Sequence, residues 1–302
     1  GRPGPRRAGA RLIRAMTFGL STHLFHGETL TASHFERIRA HDFELVEIFA
    51  TRTHVDYHAA AAVAEVRRWL DATGLRAWSV HAPICDGFVN GVWGRAYSNA
   101  TPDTALRREA VDETARAADA AAAWGAGVIV LHLGIPRGQP IPAGDNDAGA
   151  LARSLEPIAA ACAAAGVRLA LEVIPNDLAT PGALLRWLEG DLDLGAAGVC
   201  LDVGHAHLVG GAPEAAEELA GYLLTTHIHD NRGKADDHLV PFAGTIDWPS
   251  TMMALVKVGY TGPLVFELPD HGDAARVLTA AVGARARLQG ILDDLNGPLA
   301  FE

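Results

Sequence analysis

The segment "GVCLDVGH" (residues 198–205) is a short apolar run that ends in an acid and a histidine. Its hydrophobic residues are continuous, whereas a half-exposed strand would alternate apolar and polar positions. Continuous runs of this length are typical of strands that are buried on both faces of a parallel sheet. Asp202 and His205 come at the point where the run ends. The segment therefore predicts a buried parallel strand that carries polar side chains to one edge of the sheet.

Seven other segments repeat this pattern, and alanine-rich amphipathic stretches such as residues 59–74 and 107–127 separate them. Eight strand–helix units favour an α/β fold of the closed (β/α)8 TIM-barrel type over an open Rossmann sheet. No Gly-x-Gly-x-x-Gly motif follows the first strand, which also disfavours a dinucleotide-binding fold. The seven other runs are "TFGLST" (17–22), "FELVEIF" (43–49), "RAWSVHA" (76–82), "GVIVLHLG" (127–134), "VRLALEVI" (167–174), "LLTTHIHD" (223–230) and "PLVFELP" (263–269). We expect one barrel domain over residues 16–302.

Composition indicates a globular protein with a large core. Of the 302 residues, 49% are hydrophobic and 20% are charged. No apolar run approaches the roughly 20 residues that span a bilayer, so a membrane protein is disfavoured. Three cysteines at no metal-ligand spacing predict reduced thiols in a cytoplasmic protein. Residues 1–15 hold five arginines and no acids, and we expect them to be a disordered N-terminal extension.

The net charge of −11 disfavours nucleic acid as a partner, because DNA and RNA are held by cationic surfaces. A small molecule is therefore the favoured partner. The sequence leaves open whether the chain forms a homo-oligomer.

Seven of the eight predicted strands carry ionisable groups late in the run. In a TIM barrel the C-terminal ends of all strands open onto one face, where the active site lies. A single strand-end histidine or glutamate is more often structural than functional. Together, however, Glu172, Asp202 and Glu267 would place three carboxylates in one mouth with no matching set of Lys or Arg, and each buried unpaired ion costs several kcal/mol. The ionisable groups near the ends of these seven strands are Glu47, His81, His132, Glu172, Asp202 with His205, His227 and Glu267.

A bound divalent metal would offset this repulsion. Carboxylates mixed with imidazoles suit Zn, Mn, Co or Fe rather than Ca. The strand-end pattern therefore predicts a metal site at the mouth of the barrel.

The stretch "HIHDNRGKADDH" (residues 227–238) adds more candidate ligands. His227 lies in the end of a predicted strand, and Asp236 and His238 form an Asp-x-His pair on a loop that would fold back over the mouth. His229 lies two residues beyond His227 and so shares its side of the strand. His229 is then either a ligand or a residue that supports one, and the pattern does not separate the two.

These residues resemble the xylose-isomerase-like TIM barrels, which include sugar and sugar-phosphate isomerases/epimerases and endonuclease IV. The likeness extends from residue 16 to about residue 292. It implies that Glu172, Asp202, His227 and Glu267 form the core metal site of the family's ketose epimerases, where the two glutamates also transfer protons. It also implies that His205 contacts substrate, as in epimerases, or metal, as in the nuclease. The most specific segments are "LEVIPN" (171–176), "LDVGHAH" (201–207), "HIHDNRGKADDHLVPFAGTIDW" (227–248) and "VFEL" (265–268).

The resemblance to endonuclease IV goes further, because all nine ligand positions of its three-metal site have a matching residue type in this chain. It implies one core divalent ion (Mn, Zn, Co, Fe or Mg) and up to three ions in all, and in this alignment His227 rather than His229 is the ligand. The nine residues are His81, His132, Glu172, Asp202, His205, His227, Asp236, His238 and Glu267.

The insertion at residues 85–103, after the third strand, has two interpretations. It either packs over the barrel rim or forms a lid that stacks an apolar face, including Trp93, on a sugar ring. We also expect His23 and Glu47, at the ends of the first two strands, to bind substrate hydroxyls, and Arg232 to lie among the substrate-binding residues.

The leading functional hypothesis is a metal-dependent isomerase or epimerase of a small sugar or keto-sugar. The metal would act as a Lewis acid that stabilises an enediolate, while Glu172 and Glu267 move the proton, with His205 as a further catalytic candidate. A metal-dependent keto-sugar dehydratase or lyase begins with the same proton abstraction and is an alternative. An endonuclease-IV-like phosphodiesterase is a second alternative, and a non-catalytic metal- or sugar-binding barrel is a third. The acidic loops favour an unphosphorylated substrate.

Overall fold

Eight parallel strands close into a barrel in the computed structural model, which describes residues 16–296. The barrel strands are β1 (Phe18–Ser21), β2 (Leu45–Phe49), β3 (Arg76–His81), β6 (Val128–Leu131), β7 (Arg168–Glu172), β8 (Gly198–Asp202), β9 (Leu223–Ile228) and β10 (Leu264–Phe266). Their order around the barrel is β1-β10-β9-β8-β7-β6-β3-β2, so barrel strands that follow one another in sequence are neighbours and β1 closes the ring against β10. This confirms the TIM barrel predicted from the sequence.

Helices lie between the strands and form the outer layer. Two of them, α3 (Thr104–Trp124) and α4 (Ala148–Ala165), begin at an aspartate N-cap and end at a left-handed glycine. The Asp103 side chain accepts hydrogen bonds from two backbone N–H groups of the first turn of α3, and that helix ends at Gly125, whose φ is 78°. The helices are α1 (Ala32–Ala40), α2 (Ala60–Thr73), α3 (Thr104–Trp124), α4 (Ala148–Ala165), α5 (Pro181–Glu189), α6 (Val203–Val209), α7 (Ala212–Glu218), α8 (Trp248–Lys257) and α9 (Ala274–Asn296), with a 3-10 turn at Thr22–Phe25.

The strands are buried on both faces, which explains their continuous apolar sequences. All five residues of β8 are buried. Val128, Val130, Ala170 and Cys200 pack together inside the barrel, while the opposite faces of the strands pack against the helices in one large cluster. Each fully buried Val, Leu or Ile side chain contributes about 1.5–3 kcal/mol, so this two-sided burial holds the strand ends, and the site, in place.

The insertion after β3 contains a small antiparallel hairpin. Its strands, β4 (Phe88–Val89) and β5 (Val92–Trp93), pair through Phe88 opposite Trp93. The turn residues Asn90 and Gly91 both have positive φ angles, of 52° and 78°, as a two-residue hairpin turn of type I′ requires. The hairpin presents Trp93 towards the mouth of the barrel.

The sequence analysis predicts a disordered N-terminal extension at residues 1–15, and these residues lie outside the part of the chain that the structure describes. Within residues 16–296, none of the helices combines the length and the apolar character that crossing a membrane demands.

Candidate metal and active site

Four side chains from four neighbouring strand ends converge at the C-terminal mouth of the barrel. Glu172 and Asp202 are the last residues of β7 and β8, His227 lies in β9, and Glu267 directly follows β10. One ligand atom from each lies within 4.8 Å of the other three. His227 Nδ1 is 2.8 Å from a Glu172 carboxylate oxygen and 3.6 Å from Glu267 Oε2. All four are buried, with Glu267 the most exposed at 4%.

The donor set fits a divalent metal. The ion-pair contacts of Glu172, Asp202 and Glu267 among the described residues are all with histidines, so no Lys or Arg of that part of the chain neutralises them. Burial would raise the pKa of the Glu172 carboxyl, but His227 and His132 hold it well below its usual value. Glu172 Oε2 has no hydrogen bond of good geometry. Three buried carboxylates beside an imidazole are ligands that Zn, Mn, Co or Fe would accept.

Glu47 lies beneath this cluster and supports His227. Its Oε2 accepts hydrogen bonds from His227 Nε2 at 2.9 Å and from the Ser79 hydroxyl at 2.7 Å. With a metal ion bound, Nε2 would keep its proton for Glu47 and Nδ1 would offer its lone pair to the ion, the arrangement typical of metal-binding histidines. Glu47 is fully buried and does not line the cavity at the mouth. The sequence analysis expected Glu47 to bind substrate hydroxyls, whereas in the structure its carboxylate contacts His227 and Ser79.

His81 and His132 approach the outer oxygen of Glu172. Their Nε2 atoms lie 3.2 Å and 3.0 Å from Glu172 Oε2, and the Nδ1 of His81 is held by the carbonyl oxygen of Ala82 at 2.8 Å. His81, Glu172 and His227 form a second group whose ligand atoms are close enough to share an ion. The structure thus brings both histidines beside Glu172 at the mouth of the barrel.

A third cluster lies beside the first and consists of His205, His229, Asp236 and His238. Asp236 Oδ2 is 3.0 Å from the Nε2 atoms of both His205 and His238. Burial would lower the pKa of His238, but Asp236 raises it to about 9. His229, which sequence reasoning left undecided, contacts Asp202 through Nε2. The only signal for it in the sequence was its spacing of two residues from His227.

A cavity of about 240 Å³ opens above these clusters, and His205, Asp236, His238 and Glu267 line it on one side. Aromatic rings form the other side. His26 stacks on both His23 and Trp93, with ring centres 4.6 Å and 4.9 Å apart. Burial, followed by the neighbouring His26, holds the pKa of His23 well below its usual value, so this wall is uncharged near neutral pH. The sequence did not identify His26, because its role depends on the hairpin.

Of the four residues expected to contact substrate, two line the cavity and two do not. His23 and Trp93 line it, whereas Glu47 and Arg232 are absent from its walls. The Arg232 side chain is 63% exposed and points towards Asp237, with Nη1 3.9 Å from the nearest carboxylate oxygen. None of the residues that line the cavity is Lys or Arg.

Fold and site together define a TIM-barrel protein with a histidine- and carboxylate-rich candidate metal centre. The chain belongs to the xylose isomerase-like TIM barrel family, because the sequence model of that family matches residues 35–289. An uncharacterized protein of Sinorhizobium fredii is 30% identical over 276 residues, covering 82% of this chain and 86% of the relative. An uncharacterized protein of Methanocaldococcus jannaschii is 28% identical over 278 residues, covering 88% of each chain.

Solved structures share the fold at lower sequence identity. A D-tagatose 3-epimerase-like protein superposes with a TM-score of 0.76 at 24% identity, over 93% of this chain and 98% of its own. A 3-keto-D-glucoside 4-epimerase from E. coli superposes with a TM-score of 0.71 at 19% identity, over 91% of this chain and 100% of its own. An L-ribulose 3-epimerase superposes with a TM-score of 0.72 at 18% identity, over 95% of this chain and 100% of its own.

Proposed function

We propose that this protein is a divalent-metal-dependent isomerase or epimerase of a small sugar or keto-sugar. The observation that carries the proposal is the position of Glu267. Its carboxylate belongs to the candidate metal cluster and at the same time lines a cavity of about 240 Å³. A base that contacts both the metal and the substrate is what proton abstraction next to a carbonyl needs. The solved structures of similar fold that are named as sugar epimerases support this reading.

Glu172, Asp202, His227 and Glu267 would hold the ion, which when bound supplies Lewis-acid polarisation of the substrate carbonyl. Glu267, at the cavity wall, takes the proton from the carbon next to that carbonyl. Glu172 is fully buried and lies behind His132, which lines the cavity 3.0 Å from Glu172 Oε2. Because Glu172 does not line the cavity, it would return the proton through His132, and we assign the return of the proton to this pair.

The walls of the cavity favour a neutral substrate. Phosphate groups are bound in proteins by Arg, Lys or backbone N–H groups at helix N-termini. The cavity lining contains neither Arg nor Lys, and Asp236 and Glu267 add negative charge. The stacked rings of His23, His26 and Trp93 offer an apolar face to a sugar ring. We therefore propose an unphosphorylated carbohydrate. A keto-sugar dehydratase or lyase would use the same base and the same cavity.

An endonuclease-IV-like phosphodiesterase remains the second candidate, because one observation favours it. Eight of the nine residues that match its ligand set lie in three adjoining clusters, and the ninth, His132, contacts Glu172 at 3.0 Å, so the mouth of the barrel has enough donors for more than one ion. Against it stands the lining of the cavity, which offers no cation to a phosphate backbone.

Solvent deuterium exchange tests the proposal. Protein loaded with Mn, Co, Zn or Mg is incubated in D2O with neutral ketoses, keto-glycosides and their phosphates. We expect deuterium at the carbon beside the carbonyl of a neutral sugar, and Glu267→Gln should slow the exchange by about 10² or more. Glu65→Gln, an exposed acid on α2, is the matched control and should exchange like the unmodified protein.

The rival function gives the opposite result. Metal-dependent cleavage of DNA at abasic sites, without exchange on any sugar, would overturn the proposal in favour of the phosphodiesterase.

A further inference from the structure

We propose that the N-terminal face of the barrel, opposite the mouth, binds the phosphate group of a small molecule through Arg76 and Arg168, beside Trp78. These residues lie at the starts of the strands, whereas the candidate metal ligands lie at their ends. The proposed sugar chemistry does not use them. The phosphate site is therefore independent of the proposed function.

Two adjoining cavities open on this face. Their volumes are about 530 Å³ and 390 Å³, which lie within the range of about 300–1,000 Å³ that is typical of small-molecule sites. Because the cavities share four lining residues, they form one groove across the N-terminal face, which we call the arginine groove. The shared residues are Leu45, Arg76, Trp78 and Arg168.

The arginine groove is positively charged. Arg76 is the first residue of β3 and Arg168 is the first residue of β7, and both are exposed. None of the described residues that line the two cavities is Asp or Glu. The arginines that form ion pairs within residues 16–296 do not include these two. Two guanidinium groups that line one cavity and have no acidic partner favour an anion, above all a phosphate.

Trp78 supplies a flat apolar surface in the middle of the groove. It is the extra residue where the register between β2 and β3 shifts, and its indole N–H donates to the hydroxyl of Thr225 on β9 at 3.1 Å. Since β3 and β9 are not neighbours, this hydrogen bond spans the barrel and fixes the ring. Trp78 is only partly buried and lines both cavities, so its ring is available to stack on a ring of the ligand.

The turn after α8 forms another part of the wall. Residues 259–262 line the larger cavity and bring two glycines and the exposed Thr261 to it. The Tyr260 hydroxyl donates to the Pro263 carbonyl at 2.7 Å, which fixes the turn. Hydroxyl and backbone N–H groups add hydrogen bonds to a phosphate that arginines hold by charge.

The net charge of −11 does not oppose an anion at this face. A strand of five residues is about 17 Å long, and the screening length at physiological ionic strength is about 8 Å. The carboxylates at the mouth are therefore largely screened at the opposite end of the strands. The local charge decides what binds, and at this face it comes from arginines.

A phosphate monoester that carries a ring is the class of ligand that fits these groups. Near neutral pH a phosphate monoester carries a charge of about −2, which Arg76 and Arg168 together neutralise. Sugar phosphates and nucleotides share this chemistry. They differ in the ring, because the planar nucleobase of a nucleotide would also stack on Trp78.

Isothermal titration calorimetry on the metal-loaded full chain tests the proposal. The probes are inorganic phosphate, ribose 5-phosphate, AMP and adenosine. We expect one molecule of AMP or of ribose 5-phosphate to bind per chain with a Kd below about 1 mM, and adenosine not to bind. Arg76→Gln and Arg168→Gln should each weaken binding by about 10-fold or more, because each removes a charge-assisted hydrogen bond. Arg108→Gln, at an exposed position of α3 outside the groove, is the control and should bind like the unmodified protein.

Tighter binding of AMP than of ribose 5-phosphate would identify the ligand as a nucleotide, and equal binding would identify it as a sugar phosphate; both support the site. Absence of saturable binding of any probe up to about 5 mM would overturn the proposal. Unchanged affinity in both Arg76→Gln and Arg168→Gln would overturn it too. So would a loss of binding in Glu267→Gln, which would place the phosphate at the mouth. The readout is binding, so failure of the proposed enzymatic activity does not affect it.

Discussion

The carboxylate of Glu47 accepts the Nε2–H of His227 at 2.9 Å, although 180 positions separate the two residues in sequence. Both are fully buried. Glu47 lies on β2 and His227 on β9, which are not neighbours in the barrel, so the contact crosses the interior. Glu47 therefore decides which ring nitrogen of His227 faces the metal cluster.

Replacing Glu47 should weaken metal binding without removing a ligand. In Glu47→Gln the charge that orients His227 is lost, and we expect the affinity of the core site to fall by about 10–100-fold. Equilibrium dialysis followed by elemental analysis measures this. Glu44→Gln, an exposed glutamate just before the same strand, should bind metal normally. Equal affinities in the two variants would mean that Glu47 does not orient His227.

The core site should depend on the charge of Asp202. Its Oδ1 accepts the backbone N–H of His205 at 2.7 Å and caps α6. Asparagine keeps this capping oxygen but removes the charge, so Asp202→Asn should lose the core ion while the fold is retained. Asp147→Asn, the same change at the N-cap of α4, is the control. Elemental analysis measures the bound metal, and circular dichroism shows whether the fold is retained. Full metal content in Asp202→Asn would contradict the assignment of the core ligands.

Trp93 should contribute to substrate binding more than to stability. Its ring stacks on His26 but is 38% exposed, so the truncation Trp93→Ala leaves little buried space. Stacking is worth about 0.5–1.5 kcal/mol, which predicts a rise in KM of about 3–10-fold with a smaller change in kcat. Val89→Ala, on the same hairpin and 58% exposed, should change neither. A large drop in melting temperature for Trp93→Ala would instead favour a packing role for the hairpin.

Stability should fall between pH 6.5 and pH 4 because of His54. Burial is the main cause that lowers its pKa, to about 4, and it outweighs the hydrogen bond to the Glu28 carbonyl, which raises it. The folded state therefore favours neutral His54. The stabilisation that comes from keeping His54 neutral is complete above pH 6.5, which is near the pKa of histidine in the unfolded chain. It is lost as the pH falls towards 4, and the free energy of unfolding then decreases by an amount on the order of 3 kcal/mol.

Denaturant unfolding at a series of pH values checks this. His54→Asn removes the titrating group, so its free energy of unfolding should depend less on pH over the same range. His41→Asn, at the end of α1, should keep the slope of the unmodified protein. Parallel pH curves for His54→Asn and the unmodified protein would refute the prediction.

The sequence by itself determined the barrel and the residues at its mouth. Continuous apolar runs such as residues 198–205 are local signals that can be read without knowing the fold. Eight such runs that alternate with helices were enough to predict that the sheet closes into a barrel. Glu172, Asp202 and Glu267 were identifiable because, once a strand is located, its last residues must lie at the C-terminal mouth of a parallel barrel.

Only the tertiary structure decided which of these side chains face the cavity. Between β2 and β3 the register shifts at Val46/Glu47, so that Glu47 pairs with Ser79 and Trp78 is left as an extra residue. Such a bulge changes the direction of the side chains near it, and no local sequence pattern reports it. The position of His229 likewise depends on Gly204, in another strand–helix unit, because a Cβ atom at residue 204 would clash with the imidazole ring, and a contact between residues distant in sequence leaves no local pattern.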